Sequence, residues 1–222
     1  MGAWHSVLWG WFIMIDQKSK HIREEGIPMK IERFRNSYFG PAIISKVGKT
    51  LSDHSLQNKR MLNCLLESNL RTGELVSCGG TRYITTVSRK EIIQGVEVSI
   101  IAHGIACNAL YTVVNSTVAY GNDYLPSGET ITTVIKPTSC RAEIVTARMR
   151  QDDPGLLPTT LVRLYAPYNS KLKMLDKVTL GRWSMVTQPL AFLPFAHYQV
   201  DHIDRVQIPN AMVVQLGMWT AG

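Results

Sequence analysis

The sequence predicts a mainly β protein: two small antiparallel β-barrel or sandwich modules, one principal helix and an extended N-terminal arm. Three observations carry that fold class. From Leu172 to Gly217, short β-branched and aromatic runs alternate with polar residues and are bounded by Gly, Pro and Asn, the pattern of strands joined by tight turns. A second stretch, Gly73 to Val114, has the same character, and no helical period of similar length competes with either. The 222 residues are 45% hydrophobic and 18% charged, which suits a packed core and excludes a disordered chain.

In chain order, residues 1–15 (MGAWHSVLWGWFIMI) hold three of the five tryptophans. Trp4, Val7, Leu8, Trp11, Phe12 and Ile15 fall at helical spacing, so one side of a helix there is wholly apolar and must be covered by something. The run lacks the preceding Lys or Arg and the cleavage site of a secretory signal, and it is too short to cross a bilayer. Residues 1–28 are therefore read as an apolar arm and linker, the interaction element of the chain, with Met29 as an alternative start. The charged stretch 16–35 reads as the linker that passes into a first strand.

A first β module is expected over 29–115, with its helix near 52–68. There Ser52 to Ser55 supply capping residues, and Leu56, Leu62, Leu65, Leu66 and Leu70 follow at roughly helical spacing. Strands are expected at Glu74–Cys78, Tyr83–Ser88, Val96–Ala102 and Ala109–Val114, with Gly79-Gly80 as a hairpin turn. Residues 116–159 read as a connecting β and loop region, strand-like at Thr130–Ile135 and Glu143–Met149. They end in the candidate contact loop Asp152, Asp153, Pro154, Gly155 and Leu156. The second module spans 160–222, entering through a strand at Leu161–Tyr165. The segments Gly73–Tyr83 and Asp176–Trp183 echo one another: a charged residue, alternating strand positions, glycine, then Arg and an aromatic.

The net charge of +7 favours an anionic partner, but the basic residues are scattered, and no helix-turn-helix, zinc finger or basic aromatic platform accompanies them. Cys64, Cys78, Cys107 and Cys140 contain no CxxC pair and read as free thiols rather than zinc ligands. Val47-Gly48-Lys49-Thr50 resembles the end of a P-loop, yet Ile43 stands where that pattern needs glycine, so a surface turn is expected. His197, Asp201, His202 and Asp204 have metal-ligand chemistry. On a regular strand, however, His202 and Asp204 share one face while His197 and Asp201 point the other way. Asn115-Ser116-Thr117 is a glycosylation sequon in a chain with no secretory signal. No catalytic motif such as GxSxG or HExxH is present, so neither an enzyme nor a metal or cofactor is expected.

Several of these segments resemble the head-closure and head–tail connector proteins in the neck of tailed bacteriophages. The residues that carry the resemblance are Asp176-Lys177-Val178-Thr179-Leu180-Gly181-Arg182-Trp183, Tyr198-Gln199-Val200-Asp201-His202-Ile203-Asp204 and Ile208-Pro209-Asn210 leading to Val213–Gly217. Gly73 to Ile84 and Ala106-Cys107-Asn108 are similar to the first module of such proteins; Asn210 departs from the family's glycine, and residues 1–28 have no counterpart. The resemblance implies a structural virion protein, a homo-oligomeric ring between portal and tail that assembles in the host cytoplasm. Its partners would be other neck, portal-adaptor or tail proteins, with non-specific contact to packaged DNA and no membrane. Two alternatives stand beside it: a tail completion or terminator protein, and a sequence-independent nucleic-acid-binding β-barrel.

Overall fold

A computed structural model describes residues 17–33, 36–46, 59–120, 126–168, 170–184, 191–205 and 212–219, with backbone only over 114–120 and 126–134. The fold is mainly β, and the described residues divide into two units, those up to Ala106 and those from Cys107 on. Each contains a closed six-stranded antiparallel barrel. No helix among the described residues is long and apolar enough to cross a membrane.

The first unit opens with helix α1 (17–25), which turns its one fully buried residue, Ile22, inward. Gly26 ends it by donating its N–H to the Ile22 carbonyl, and that oxygen occupies the space a Cβ at 26 would need. Residues 17–28 therefore belong to the first unit and are not a free linker. A single apolar residue among charges leaves no periodicity to read in the sequence. The barrel strands are β1 (Ile27–Glu32), β2 (Tyr38–Lys46), β3 (Lys59–Cys64), β4 (Leu75–Cys78), β5 (Thr81–Ile93) and β6 (Val96–Ala106), in the order β1-β2-β3-β6-β5-β4. Alternation places Met29, Ile31, Leu62, Cys64, Val76, Ile100 and Ala102 in one core. Gly79 and Gly80, both at positive φ, make the tight turn expected between β4 and β5.

The helix expected near 52–68 is corrected where the structure describes it. Lys59–Cys64 is strand β3, laddered to β2 on one side and β6 on the other. A 3-10 turn, Leu66–Ser68, follows it. Leu62 and Cys64 point inward at the two-residue period, while the turn brings Leu65 and Leu70 back into the core. The helical spacing of those leucines is thus produced by a strand running into a compact turn.

The second unit has strands β7 (Ala109–Tyr120), β8 (Pro126–Ile144), β9 (Val162–Ala166), β10 (Lys177–Trp183), β11 (Phe192–Asp204) and β12 (Met212–Met218). Residues 116–159 are accordingly not a connector: β7 and β8 pair along most of their length and complete the second barrel. The strand expected at Glu143–Met149 also stops short, because β8 ends at Ile144 and helix α2 (Ala147–Asp152) follows, capped by Thr146. Tyr111, Leu164, Leu180, Val200, Val214 and Leu216 form the core. The strand order, β7-β8-β9-β12-β11-β10, is the order of the first barrel repeated: first, second, third, sixth, fifth, fourth. The sequence echo aligns β4 with β10, the fourth strand of each. Beyond the glycines the two diverge, since β4 turns at Gly79 whereas β10 runs through Gly181 to Trp183.

Candidate interaction surfaces

A closed barrel has no free strand edge, so contacts made by these units must use side chains and loops. The contact loop expected at Asp152–Leu156 is held firmly on the second barrel. Gln215, in the middle of β12, is only 6% exposed because this loop covers it. Its Oε1 accepts from the Leu157 N–H and the Thr160 hydroxyl, both at 2.8 Å, and its Nε2 donates to the Gly155 carbonyl at 2.9 Å. Arg150 donates to the Leu157 and Thr160 carbonyls at 3.0 and 2.5 Å. Asp153 is ion-paired with Arg163 of β9, and Thr159 donates to Asp201 of β11 at 3.0 Å. The tip is thereby preorganised: Asp152, Pro154 and Gly155 stay exposed on a loop whose ordering entropy is already spent. Sequence reasoning missed Gln215. A glutamine inside Met212-Val213-Val214-Gln215-Leu216 reads as the outward residue of a strand, and only the covering loop buries it.

The second surface is the β10–β11 hairpin. Five consecutive apolar residues, Phe192 to Ala196, open β11. A β-bulge between Leu180 and Gly181 leaves Phe195 without an opposite residue, and its side chain is 61% exposed. Leu193 is 43% and Trp183 36% exposed. Phe192 instead folds its ring over Gly181, where an added Cβ would lie 2.5 Å from the ring and 2.5 Å from the Leu193 carbonyl oxygen. The sequence signal available was the run itself, which shows no alternation because both of its faces are apolar.

The four residues with metal-ligand chemistry are spread over different tasks. His197 Nδ1 lies 3.0 Å from the Thr179 hydroxyl, and its ring meets Trp219 edge-on with centroids 5.4 Å apart. The Lys177 ammonium sits 4.8 Å from the Trp219 ring centroid. A second bulge, between Val200 and His202, makes Asp201 the extra residue and turns its carboxylate over Gly217 and toward Thr159. His202 and Asp204 lie opposite Gln215 and Val213. Among the described residues, no three His, Cys, Asp or Glu side chains are grouped closely enough to hold a metal ion.

All four cysteines are thiols. Burial pushes Cys64 up to about 12, reinforced by neighbouring Cys78, and Cys78 up to about 11; Cys140 is raised well above its ordinary value for the same reason. Cys64 and Cys78 pack in the core of the first barrel and Cys140 in that of the second. Trp4, Val7, Leu8, Trp11, Phe12 and Ile15 of the arm, and the Val47–Thr50 turn, lie outside the described residues. No protein-family model matches the chain, and no curated protein is similar to it.

Proposed function

We propose that this chain is a structural ring subunit of a tailed-bacteriophage neck, repeated around the DNA path between portal and tail, and that it is not an enzyme. The observation that carries the reading is the exposed apolar run Leu193-Pro194-Phe195 beside Trp183, on a barrel that has no open edge. A ring is built from heterologous contacts, in which one side face of a subunit meets a different face of the next. That arrangement uses two unlike faces of each subunit. We take the β10–β11 hairpin as the candidate for one of them and the Gln215-clamped loop as the candidate for the other. The resemblance of β10, of the Tyr198–Asp204 half of β11 and of β12 to connector proteins points the same way.

The test is localisation in particles of the phage whose genome encodes the chain, by antibody labelling and electron microscopy. Label at the head–tail junction supports the reading, and absence of the chain from purified particles refutes it.

A further inference from the structure

Beyond the ring reading, and independent of it, the first barrel carries a face whose occupant is a part of the same chain. β5 and β6 run further than the barrel does. β3 accompanies β6 only as far as the Cys64–Ile100 pair, and β4 accompanies β5 only over Thr81–Ile84. Glu91 to Ile93 therefore ladder with Val96 to Ser99 alone, around a tight turn at Gln94 and Gly95, both at positive φ. A two-stranded hairpin by itself is marginal in water and needs something to pack against.

Strand alternation divides the side chains of this hairpin between two faces. On one face β5 presents Val87, Arg89, Glu91 and Ile93, and β6 sets His103, Ile101, Ser99 and Val96 opposite them. Val87 is 50% and Val96 48% exposed, while Ile93 and Ile101 are half-buried. Ile92, 61% exposed, lies on the other face opposite Glu97.

The start of α1 is fixed at the centre of the first face. Lys18 is ion-paired with Glu91, whose carboxylate also accepts from the Ser99 hydroxyl at 2.5 Å. The chain ahead of α1 consequently arrives on this face. Residues 1–15 contain no Asp, Glu, Lys or Arg and carry the apolar stripe that ends in Trp11, Phe12 and Ile15. Phe12 and Ile15 stand within six residues of Lys18, and the Ile93–Val96 pair lies about 7 Å beyond Glu91 along the strand.

We propose that residues 1–16 dock on their own barrel, with the Trp11, Phe12 and Ile15 end of the stripe covering Val96 and Ile93 on this face. The tether decides between this occupant and the same segment of a second copy. A segment anchored one ion pair away meets the face at a high effective concentration, which a separate chain does not match. The arm is then a strap within one subunit and not a reach between subunits.

The experiment is hydrogen exchange with mass spectrometry on the full chain, read over residues 1–16 and 91–99. Trp11→Ser with Phe12→Ser is expected to accelerate exchange at 91–99 by roughly tenfold or more, because the cover is lost. Val96→Ser should accelerate exchange over residues 1–16 by a similar factor. Ile92→Ser, the same kind of change on the opposite face, should leave residues 1–16 within about threefold of wild type. Core amides such as Ile31 and Leu62 should exchange as in wild type, which separates loss of the dock from misfolding; if a hairpin variant loosens the core, the arm variant alone decides. Exchange at 91–99 unaltered in the arm variant would overturn the proposal. Equal effects of Val96→Ser and Ile92→Ser would report hairpin stability alone and overturn it too. Protection of residues 1–16 that persists on dilution supports docking within the chain. Protection that falls on dilution would assign the face to the arm of a second copy and overturn the proposal. None of these outcomes bears on where the chain sits in a particle.

Discussion

Replacing Gln215 by Leu should release the 152–160 loop from the second barrel without unfolding it. The side chain makes three hydrogen bonds, to Leu157 N–H, Thr160 Oγ1 and the Gly155 carbonyl. Leu157 and Gly155 are at the surface, so water replaces their missing partner and each bond is worth about 0.5–1.5 kcal/mol. Thr160 is fully buried, and its stranded hydroxyl costs about 1–3 kcal/mol. Some of this is recovered by the added apolar side chain, leaving a local destabilisation of about 2–4 kcal/mol. The barrel core beneath is untouched, since Val214 and Leu216 point into it. Hydrogen exchange at the Leu157 amide should therefore accelerate by roughly 30- to 1,000-fold, at about 1.4 kcal/mol per decade, while core amides such as Val214 change little. Trypsin should cut after Arg150 sooner, because the carbonyls of Leu157 and Thr160 no longer hold that side chain still. A double-mutant cycle with Thr160→Val should give a coupling of about 0.5–3 kcal/mol. Unchanged exchange at Leu157 and unchanged cleavage would show that the clamp does not hold the loop.

Gly181→Ala puts a methyl 2.5 Å from the Leu193 carbonyl and the Phe192 ring. It should cost about 1–3 kcal/mol by overpacking and lower the calorimetric Tm by about 4 °C or more. In native protein, a thiol reagent should modify Cys107 first, with Cys64, Cys78 and Cys140 reacting only at the rate of unfolding; four equally fast thiols would refute the packing described. Glu91 is raised by burial but lowered further by its bonds to Lys18 and Ser99 and by the charges of Lys18 and Arg89, so its folded pKa lies below the ordinary carboxylate value. The stability it contributes is present above the unfolded pKa and lost as pH falls through the lower folded value. The difference in denaturation midpoint between wild type and Glu91→Gln should accordingly shrink from about pH 6 toward about pH 3, and a difference independent of pH would contradict the assignment.

The legible parts of the fold were those with local signals. Gly79-Gly80 could be read as a turn because two successive positive φ values call for glycine, and β9 could be read because its alternation is clean. Lys59–Cys64 was not, since its strand character comes from ladders on both sides, which no local window contains. Helix α2 is six residues long, too short for a period, and its start was marked only by the Thr146 cap. Of the candidate site, the loop at Asp152–Leu156 was visible as Pro and Gly among acids. Gln215, which holds it, and the bulge that exposes Phe195 depend on strands distant in sequence. The repeated strand order is likewise a property of pairing, and the echo between β4 and β10 was its only trace in the residues.

The most direct test of the ring reading is a cryo-electron reconstruction of the phage neck from the wild type and from a strain carrying Leu193→Ser with Phe195→Ser in this chain. The account predicts a closed ring of copies around the DNA path in the wild type, with the β10–β11 hairpin of each against its neighbour, and a neck lacking that ring in the variant. A wild-type neck with no density for two six-stranded barrels, or a complete ring in the variant, would contradict it.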